Sequence, residues 1–353
     1  MSPYTNDGDQ ESAQTALDLP YLHLLACPRC QGDLRARNQT VCCSSCAASF
    51  PVKSGIPCLF SPNDPDRFPR DVTERVRAFY EEHPFPDYEG TETLADLIEK
   101  ARESVFAELL DRQIPFGVRI LECGCGTGQL SNFLGIAHRT VFGTDICLNS
   151  LQLAERFRRG GGLQRVFFLQ MNLFRPVFAR ASFHTVICNG VLHHTSNLRL
   201  GFRTLSSLVR PGGYLIAGLY HRFGRFGTDL RRRLFRLSGN RWAFLDPRLR
   251  KAQLGPKRRA VWLADQYQHP HEVKSTIGEV LAWLKPNGLE LVKTIPKTRL
   301  SSPFLDAENL FEPEPPGHPI ERLLVELSQA LTGDREGGFF TVICRKKGRV
   351  SRN

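Results

Sequence analysis

Apolar residues along the chain recur in two rhythms, which divide most of it into predicted strands and helices. Between residues 118 and 220, short apolar runs alternate with segments whose apolar positions repeat every three to four residues. The predicted strands are VRILEC (118–123), TVFGTD (140–145), RVFFLQ (165–170), HTVICN (184–189) and YLIAGLY (214–220). This β–α alternation predicts a parallel sheet with helices on both faces.

The flanking segments predict further helices and two last strands. Residues 92–112 carry one helical apolar stripe, and DVTERVRAFYEEH predicts a short helix that ends before Pro84. HPHEVKSTIGEVLAWLKPNG predicts a helix that ends at Gly288. LELVKTI and GGFFTVICRKK predict strands around the helix PIERLLVELSQALTG, the last strand antiparallel at or beside an edge. The expected fold class is α/β, a Rossmann-like doubly wound sheet of about seven strands.

Shifts in composition predict the domain organisation. We expect a disordered tail at 1–20, a compact Cys-rich domain at 21–60 and a Pro-rich linker with a packing helix at 61–112. The main domain is expected at 113–353, with a basic insertion or lid at 221–270.

Composition narrows the class of protein. With 41% hydrophobic residues the chain can bury a sizeable core, and no run approaches the roughly 18 apolar residues that span a bilayer. The polar, acidic N-terminus has no basic start followed by an apolar stretch, so we expect a cytoplasmic protein without a transmembrane segment. Six of the 11 cysteines fall in the first 60 residues, a clustering that argues against a disulfide framework.

Two Cys-x2-Cys pairs separated by 12 residues predict a tetrahedral zinc site with four thiolate ligands. The predicted ligands are Cys27, Cys30, Cys43 and Cys46. Cys42 directly precedes the second pair, and its use with Cys46 in place of Cys43 stays an open alternative. Cys58 lies in an apolar run and is expected to be packed.

The stretch LECGCGTGQ carries the main chemical signal. Gly124, Gly126 and Gly128 alternate directly after a predicted strand, and Asp145 ends the next strand 21 residues after Gly124. Glycines let backbone N–H groups approach a ligand closely, and a carboxylate at the second strand tip can accept both ribose hydroxyls. The spacing differs from the GxGxxG of dinucleotide oxidoreductases.

At these residues the chain resembles the class I S-adenosylmethionine-dependent methyltransferases, in the group of the ubiquinone and menaquinone enzymes. The resemblance is strong over about 118–220, where ILECGCGTGQ, GTDIC, NGVLHHTSN and LVRPGGYLIAG match family motifs. Asn172 stands where the family usually has Asp, and His184 stands before the fourth strand in place of Asp. The implied cofactor-binding residues are Glu122, Gly124, Cys125, Gly126, Gly128, Asp145, Ile146, Asn172, Leu173 and Asn189.

Methyl transfer needs an aligned acceptor and, for a hydroxyl or amine, a general base. The candidates are His193 and His194, on the loop that lines the methionine side in such proteins, and Tyr220, with His221 beside it after the fifth strand. Structural roles for all of these side chains stay open.

The Cys-rich unit resembles a second family. CPRCQGDL and FPVKSGIPCLF resemble the zinc ribbons of tRNA-methyltransferase activator proteins, and a ribosomal-RNA guanine methyltransferase family joins such a ribbon to this cofactor fold. The resemblance implies RNA as a candidate acceptor and a protein partner of the ribbon. RNA enzymes of that type usually have His where Cys46 stands.

Two further segments keep alternatives open. In the linker, the aromatic rings of Tyr80, His83, Phe85 and Tyr88 either cap the cofactor pocket or strap the sheet edge. Residues 219–260 hold 13 Lys/Arg and two acids, which accounts for the net charge of +11. This segment is predicted to be an amphipathic lid, a binding surface for RNA or an anionic substrate, or a membrane contact.

The sequence thus predicts an S-adenosylmethionine-dependent methyltransferase whose acceptor, a small molecule or RNA, is unidentified. The alternative is an adaptor that binds the cofactor and acts through its zinc ribbon and basic lid without catalysis. The intact GxGxG stretch with Asp145 favours the enzyme.

Overall fold

Two β-sheets organise the described part of the chain. The computed structural model describes residues 19–86, 88–246, 249, 255–299, 307–332 and 338–348, so the predicted tail at 1–20 lies almost entirely outside it. The small sheet has the order β1-β2-β3-β4, with strands Leu34–Arg37, Thr40–Cys43, Ser49–Lys53 and Ile56–Pro57. The seven strands of the large sheet are β5 (Arg119–Cys123), β6 (Thr140–Asp145), β7 (Val166–Gln170), β8 (Phe183–Asn189), β9 (Val209–Tyr220), β10 (Leu289–Ile295) and β11 (Phe339–Lys346).

The large sheet has the order β10-β11-β9-β8-β5-β6-β7. Strands β5 to β9 are parallel, and β11 runs antiparallel between β9 and β10. The predicted antiparallel last strand therefore lies beside an edge strand. Because the strand order reverses at β5, the carboxyl ends of β5 and β8 flank a crevice where α/β proteins bind ligands. This is the Rossmann-like fold of class I methyltransferases, as the sequence predicted.

The helices of the main domain lie between and around these strands. They are α1 (Thr73–Glu82), α2 (Leu94–Arg102), α3 (Val105–Gln113), α4 (Gln129–Ile136), α5 (Leu148–Gly160), α6 (Leu198–Leu208), α7 (Phe226–Ser238), α8 (Pro256–Leu263), α9 (Ile277–Leu284) and α10 (Pro319–Thr332). The stripe predicted as one helix over 92–112 is two helices, because Ser104 interrupts it. Its hydroxyl accepts a hydrogen bond from the Ala107 N–H and caps α3.

The small sheet shares its core with the large one. The Tyr21 ring packs edge-on against Phe142 with centroids 5.3 Å apart, and tilted against Phe167 at 4.5 Å. Backbone hydrogen bonds also cross between the units: the Ala26 N–H donates to the carbonyl of Val177 at 2.8 Å. The N-terminal unit is therefore continuous with the main core. The exact domain boundaries stay predictions.

The insertion after β9 is held down by buried charge. Arg225 has no exposed surface, lies 3.8 Å over the Tyr220 ring and pairs with Glu272 at 2.8 Å. Arg232 pairs with the same carboxylate at 2.7 Å. Burial opposes ionisation of Glu272, but Arg225 and Arg232 hold its pKa at about 2. No helix among the described residues is both long and apolar enough to cross a membrane.

We expect Glu272→Gln to destabilise the fold by about 3–5 kcal/mol, because it removes the buried carboxylate that pairs with both Arg225 and Arg232. Urea denaturation at neutral pH measures the change. The matched control is Glu108→Gln, which breaks the exposed pair with Arg112 and should cost about 1 kcal/mol or less. Equal effects in the two variants would contradict the anchoring role of Arg225.

Candidate active site and metal centre

A cavity of 630 Å³ opens at the carboxyl edge of the large sheet. Its volume falls in the range of about 300–1,000 Å³ that is typical of small-molecule sites. The predicted site residues that line it are Glu122, Gly124, Cys125, Gly126, Asp145, Ile146, Asn172, Leu173, Asn189, His194 and Tyr220. Gly128 and His193 lie outside the lining.

The loop after β5 makes one wall. Gly124 and Gly126 have positive φ angles of 75° and 53°, a backbone region that favours glycine. A Cβ atom on Gly124 would lie 2.1 Å from Val191, and one on Gly126 would lie 2.2 Å from the Phe85 carbonyl oxygen. Both positions therefore require glycine, and the backbone is bare where it borders the cavity.

Asp145 joins the ends of β5 and β6. One of its carboxylate oxygens accepts the Gly126 N–H and the other accepts the Cys147 N–H, both at 2.9 Å. Burial raises the pKa of Asp145, and these hydrogen bonds oppose the rise. Glu122 lies on the same wall, accepts a hydrogen bond from Ser131 and has its pKa raised by burial to about 7. Two carboxyl groups therefore border this end of the cavity.

The side-chain amide of Asn172 forms hydrogen bonds within the protein. Its Nδ2 group donates to the Ser61 carbonyl and to Asn63 Oδ1, each at 2.9 Å, while its Oδ1 accepts the Phe174 N–H at 3.0 Å. The side chain thus ties the loop after β7 to the segment that follows the small sheet. Its predicted contact with a cofactor stays a prediction.

The opposite end of the cavity carries an acid and a histidine. His194 Nδ1 lies 2.9 Å from the carbonyl oxygen of His271. Because a carbonyl only accepts, Nδ1 carries the proton and Nε2 holds the lone pair of the neutral ring. Asp265 accepts the Tyr80 hydroxyl at 3.1 Å and the Gln266 amide at 2.8 Å. Burial raises the pKa of Asp265.

His193, the other predicted histidine, packs behind this wall. Its ring stacks on Tyr220 with centroids 3.7 Å apart, and both ring nitrogens are buried without a hydrogen-bond partner among the described residues. Burial lowers the pKa of His193 well below its usual value, so the ring stays neutral. His221, which follows Tyr220 in the chain, is also buried, and its Nε2 has no hydrogen-bond partner among the described residues.

The linker covers the cavity only in part. Tyr80 and Phe85 line it, as one of the two sequence interpretations expected. His83 instead stacks on Phe79 at 5.1 Å, and Tyr88 donates its hydroxyl to the Thr127 carbonyl at 2.8 Å. The linker is therefore both a cap and a strap.

Sequence reasoning missed Asp265, Gln266, Trp262 and Phe339, all of which line the cavity. Asp265 lies in one turn of π-helix, Ala264–Gln268, a rare geometry that is frequent at functional sites. The available signal was an isolated acid directly after the basic segment. Nothing local in the sequence placed it in the same cavity as His194.

The four predicted thiolates lie together. Their sulfur atoms are all within 4.8 Å of one another, with Cys27 and Cys46 at 3.7 Å and Cys30 and Cys43 at 3.5 Å. A tetrahedral site with zinc–sulfur bonds of about 2.3 Å has sulfur atoms about 3.8 Å apart, so the donor set fits a zinc ion. Cys42 lies apart, its sulfur 3.5 Å from the Thr40 hydroxyl. This favours Cys43 over Cys42.

Comparisons with known proteins agree with this geometry. A family model described as a methyltransferase domain matches residues 121–217. An uncharacterized protein of Synechococcus sp. is 27% identical over 263 residues, 63% of this chain and 60% of that protein. The ubiquinone biosynthesis O-methyltransferase of Agrobacterium fabrum is 30% identical over 106 residues, 30% of this chain and 42% of that enzyme.

Among solved structures, an S-adenosylmethionine-dependent methyltransferase of Mesorhizobium loti aligns with a TM-score of 0.43 and 18% identity, over 70% of this chain and 100% of that chain. The chain spans less than two thirds of the length of the two curated relatives described above. The residues that match the methyltransferase family model, 121–217, run from β5 into β9.

We expect the purified protein to carry one zinc ion per chain, measured by inductively coupled plasma mass spectrometry. Cys27→Ser should lose the metal, because one of four thiolate ligands is removed. Cys42→Ser, the matched control in the same unit, should keep it. Loss of the metal from the Cys42 variant with retention in a Cys43→Ser variant would assign the alternative pair.

The buried histidines predict a pH-dependent stability. Burial lowers the pKa of His194 to about 4 and that of His269 to about 3. The unfolded chain takes up protons at these residues below about pH 6.5 and the folded chain does not, so stability falls as the pH drops from there. At pH 5 the loss is about 2 kcal/mol for each histidine.

Urea denaturation at pH values between 7 and 5 tests this expectation. His269→Gln should flatten the dependence by the equivalent of one proton. Glu272, whose pKa the arginines hold at about 2 against the effect of burial, lowers stability only at more acidic pH and does not interfere. Glu122, whose pKa burial raises to about 7, takes up a proton in the folded chain over the same range and opposes the loss, so the test is the difference in slope between the wild type and His269→Gln. Equal slopes in the two proteins would contradict the neutral burial of His269.

Proposed function

We propose that the protein transfers a methyl group from S-adenosylmethionine to a small-molecule acceptor. The observation that carries the proposal is a single cavity with two chemically different ends. The glycine loop and Asp145 border one end, while Asp265 and His194 border the other. This arrangement supports an enzyme over an adaptor, because an adaptor has no use for a titratable pair at the far end.

The loop end suits the cofactor. The loop of Gly124 and Gly126 lines this end of the cavity without side chains, and Asp145 keeps further lone pairs for the two ribose hydroxyls. Ile146 lines the same region and offers an apolar surface for the adenine. Bound S-adenosylmethionine supplies a sulfonium methyl group that is already activated for transfer.

The far end suits a small acceptor with a hydroxyl or amine group. His194 is neutral with its lone pair on Nε2, and Asp265 is a buried carboxylate, so either can accept the acceptor's proton. Tyr220 hydrogen-bonds to the Gln266 amide at 3.1 Å, which orients this wall. Tyr80, Trp262 and Phe339 add an aromatic lining to the cavity, which suits a small-molecule acceptor.

The zinc ribbon is proposed to be structural. Its four thiolates are contributed by the N-terminal unit, and none of them lines the cavity. A closed set of four cysteine ligands leaves no open position for catalysis. We propose that the metal holds the small sheet against the main core. The exposed side of the small sheet then remains accessible to a protein partner.

Calorimetric titration with S-adenosylmethionine tests the cofactor assignment. We expect binding to the wild type and about 10- to 100-fold weaker binding to Asp145→Asn, which loses charge-assisted hydrogen bonds to ribose. Asp265→Asn is the matched control, since it changes a carboxyl group at the far end and should leave the affinity unchanged. Absence of binding to the wild type would overturn the proposed function.

A labelled-methyl assay tests the acceptor. Incubation with methyl-labelled S-adenosylmethionine and separated small-molecule, RNA and protein fractions should label the small-molecule fraction. With that acceptor, His194→Gln and Asp265→Asn should lower kcat by about 10²- to 10⁴-fold for the residue that acts as base. Label in RNA alone would contradict the enclosed small-molecule site.

A further inference from the structure

Helix α7 has one buried face and one exposed face. Its inner face packs on the rest of the lid, where Arg231 donates to the Tyr267 hydroxyl at 3.0 Å and Phe235 is buried. Its outer face exposes Phe226, Leu230 and Leu237, which are 65%, 51% and 83% exposed. Leu230 and Leu237 follow Phe226 by four and eleven residues, which is close to one and three helical turns. The three side chains therefore form one stripe along the helix.

The exposed apolar surface continues past the end of the helix. Trp242 and Phe244 are also exposed large hydrophobic residues, and they follow α7 within a few residues. Exposed large apolar side chains are thus concentrated within residues 226–244, which is unusual on a surface that faces only water. The outer face of the lid therefore indicates a binding surface.

The cations of the segment divide into two groups. Arg225 and Arg232 are committed inward, to the carboxylate of Glu272. Arg233, Arg236 and Arg241 are exposed, and Arg233, three residues after Leu230 and four before Leu237, lies beside the apolar stripe. The outer face thus combines apolar side chains with a set of exposed positive charges.

This combination is that of a helix that lies in a membrane interface. A single-stranded nucleic acid would bind through the arginines and the aromatic rings. The exposed side chains of Leu230 and Leu237 can neither stack on bases nor pair with phosphates. Transfer of leucine side chains from water to the acyl region lowers the free energy, and anionic headgroups attract the arginines. We propose that α7 and the turn through Phe244 dock the protein on an anionic phospholipid surface.

The docking surface lies one layer from the cavity. Arg232 on the inner face donates to the Gln266 carbonyl at 2.6 Å, and Gln266 lines the cavity. Docking therefore places the lid, and the acceptor end beneath it, next to the bilayer. The proposal concerns the surface itself and does not depend on methyl transfer.

Co-sedimentation with phosphatidylcholine vesicles, with and without phosphatidylglycerol, tests the proposal on the full chain. We expect binding only when phosphatidylglycerol is present, weakening as salt is added. Phe226→Ser/Leu230→Ser/Leu237→Ser should lower the partition coefficient at least about tenfold. Arg233→Glu/Arg236→Glu/Arg241→Glu should abolish the dependence on phosphatidylglycerol.

Helix α10 provides the matched control. Its outward stripe is similarly apolar and half-exposed, and includes Leu323, Leu324 and Leu327, but its one basic residue, Arg322, is partly buried. Serine at those three positions should leave vesicle binding unchanged. Circular dichroism melting and S-adenosylmethionine titration confirm that each variant is folded.

Three outcomes would overturn the proposal. The first is no binding of the folded wild type to anionic vesicles. The second is an equal loss of vesicle binding in the α7 and α10 variants. The third is binding to single-stranded RNA that the arginine variant loses, together with vesicle binding that neither α7 variant changes, which would assign the surface to nucleic acid.

Discussion

The cavity depends on how the ends of β5 and β6 meet. The carbonyl of Thr144 accepts the N–H groups of Gly124 and Cys125, and the next residue, Asp145, accepts the N–H of Gly126 through its side chain. Three successive N–H groups of the loop after β5 are thus fixed by two residues of β6. Because buried backbone donors need partners, the loop has little freedom to adopt another course. The course of the glycine loop along the cavity follows from this constraint.

The features predicted correctly from sequence are those in which local residues dictate local structure. A glycine loop between strand and helix, followed by an acid at the next strand tip, requires only that two parallel strands be neighbours, and β5 pairs with β6. The cysteine pairs likewise define a cluster by spacing alone. The error at 92–112 was local as well: the apolar stripe continues past Ser104, but α2 ends at Arg102 and Ser104 caps the start of α3.

The end of the cavity that we propose for the acceptor could not be predicted, because it is assembled from distant segments. Tyr80 of α1 meets Asp265 of the lid across 185 residues of sequence, and His194 of the loop after β8 bonds to the backbone of His271. No periodicity or spacing encodes such meetings. The same limit applies to the N-terminal unit: its sequence predicted a compact Cys-rich domain, and no spacing in it indicates that Tyr21 packs into the core beside Phe142.

Net charge illustrates why composition alone misleads about partners. The +11 of residues 219–260 counts every arginine equally, yet Arg225 is fully buried and shares Glu272 with Arg232. These two side chains hold the lid together and offer no charge to a ligand, because burial makes their pairing with a carboxylate obligatory. What the outer face presents is a smaller set of cations among apolar side chains. The chemistry of that face is therefore amphipathic, and it differs from the uniformly basic surface that the amino-acid count predicts.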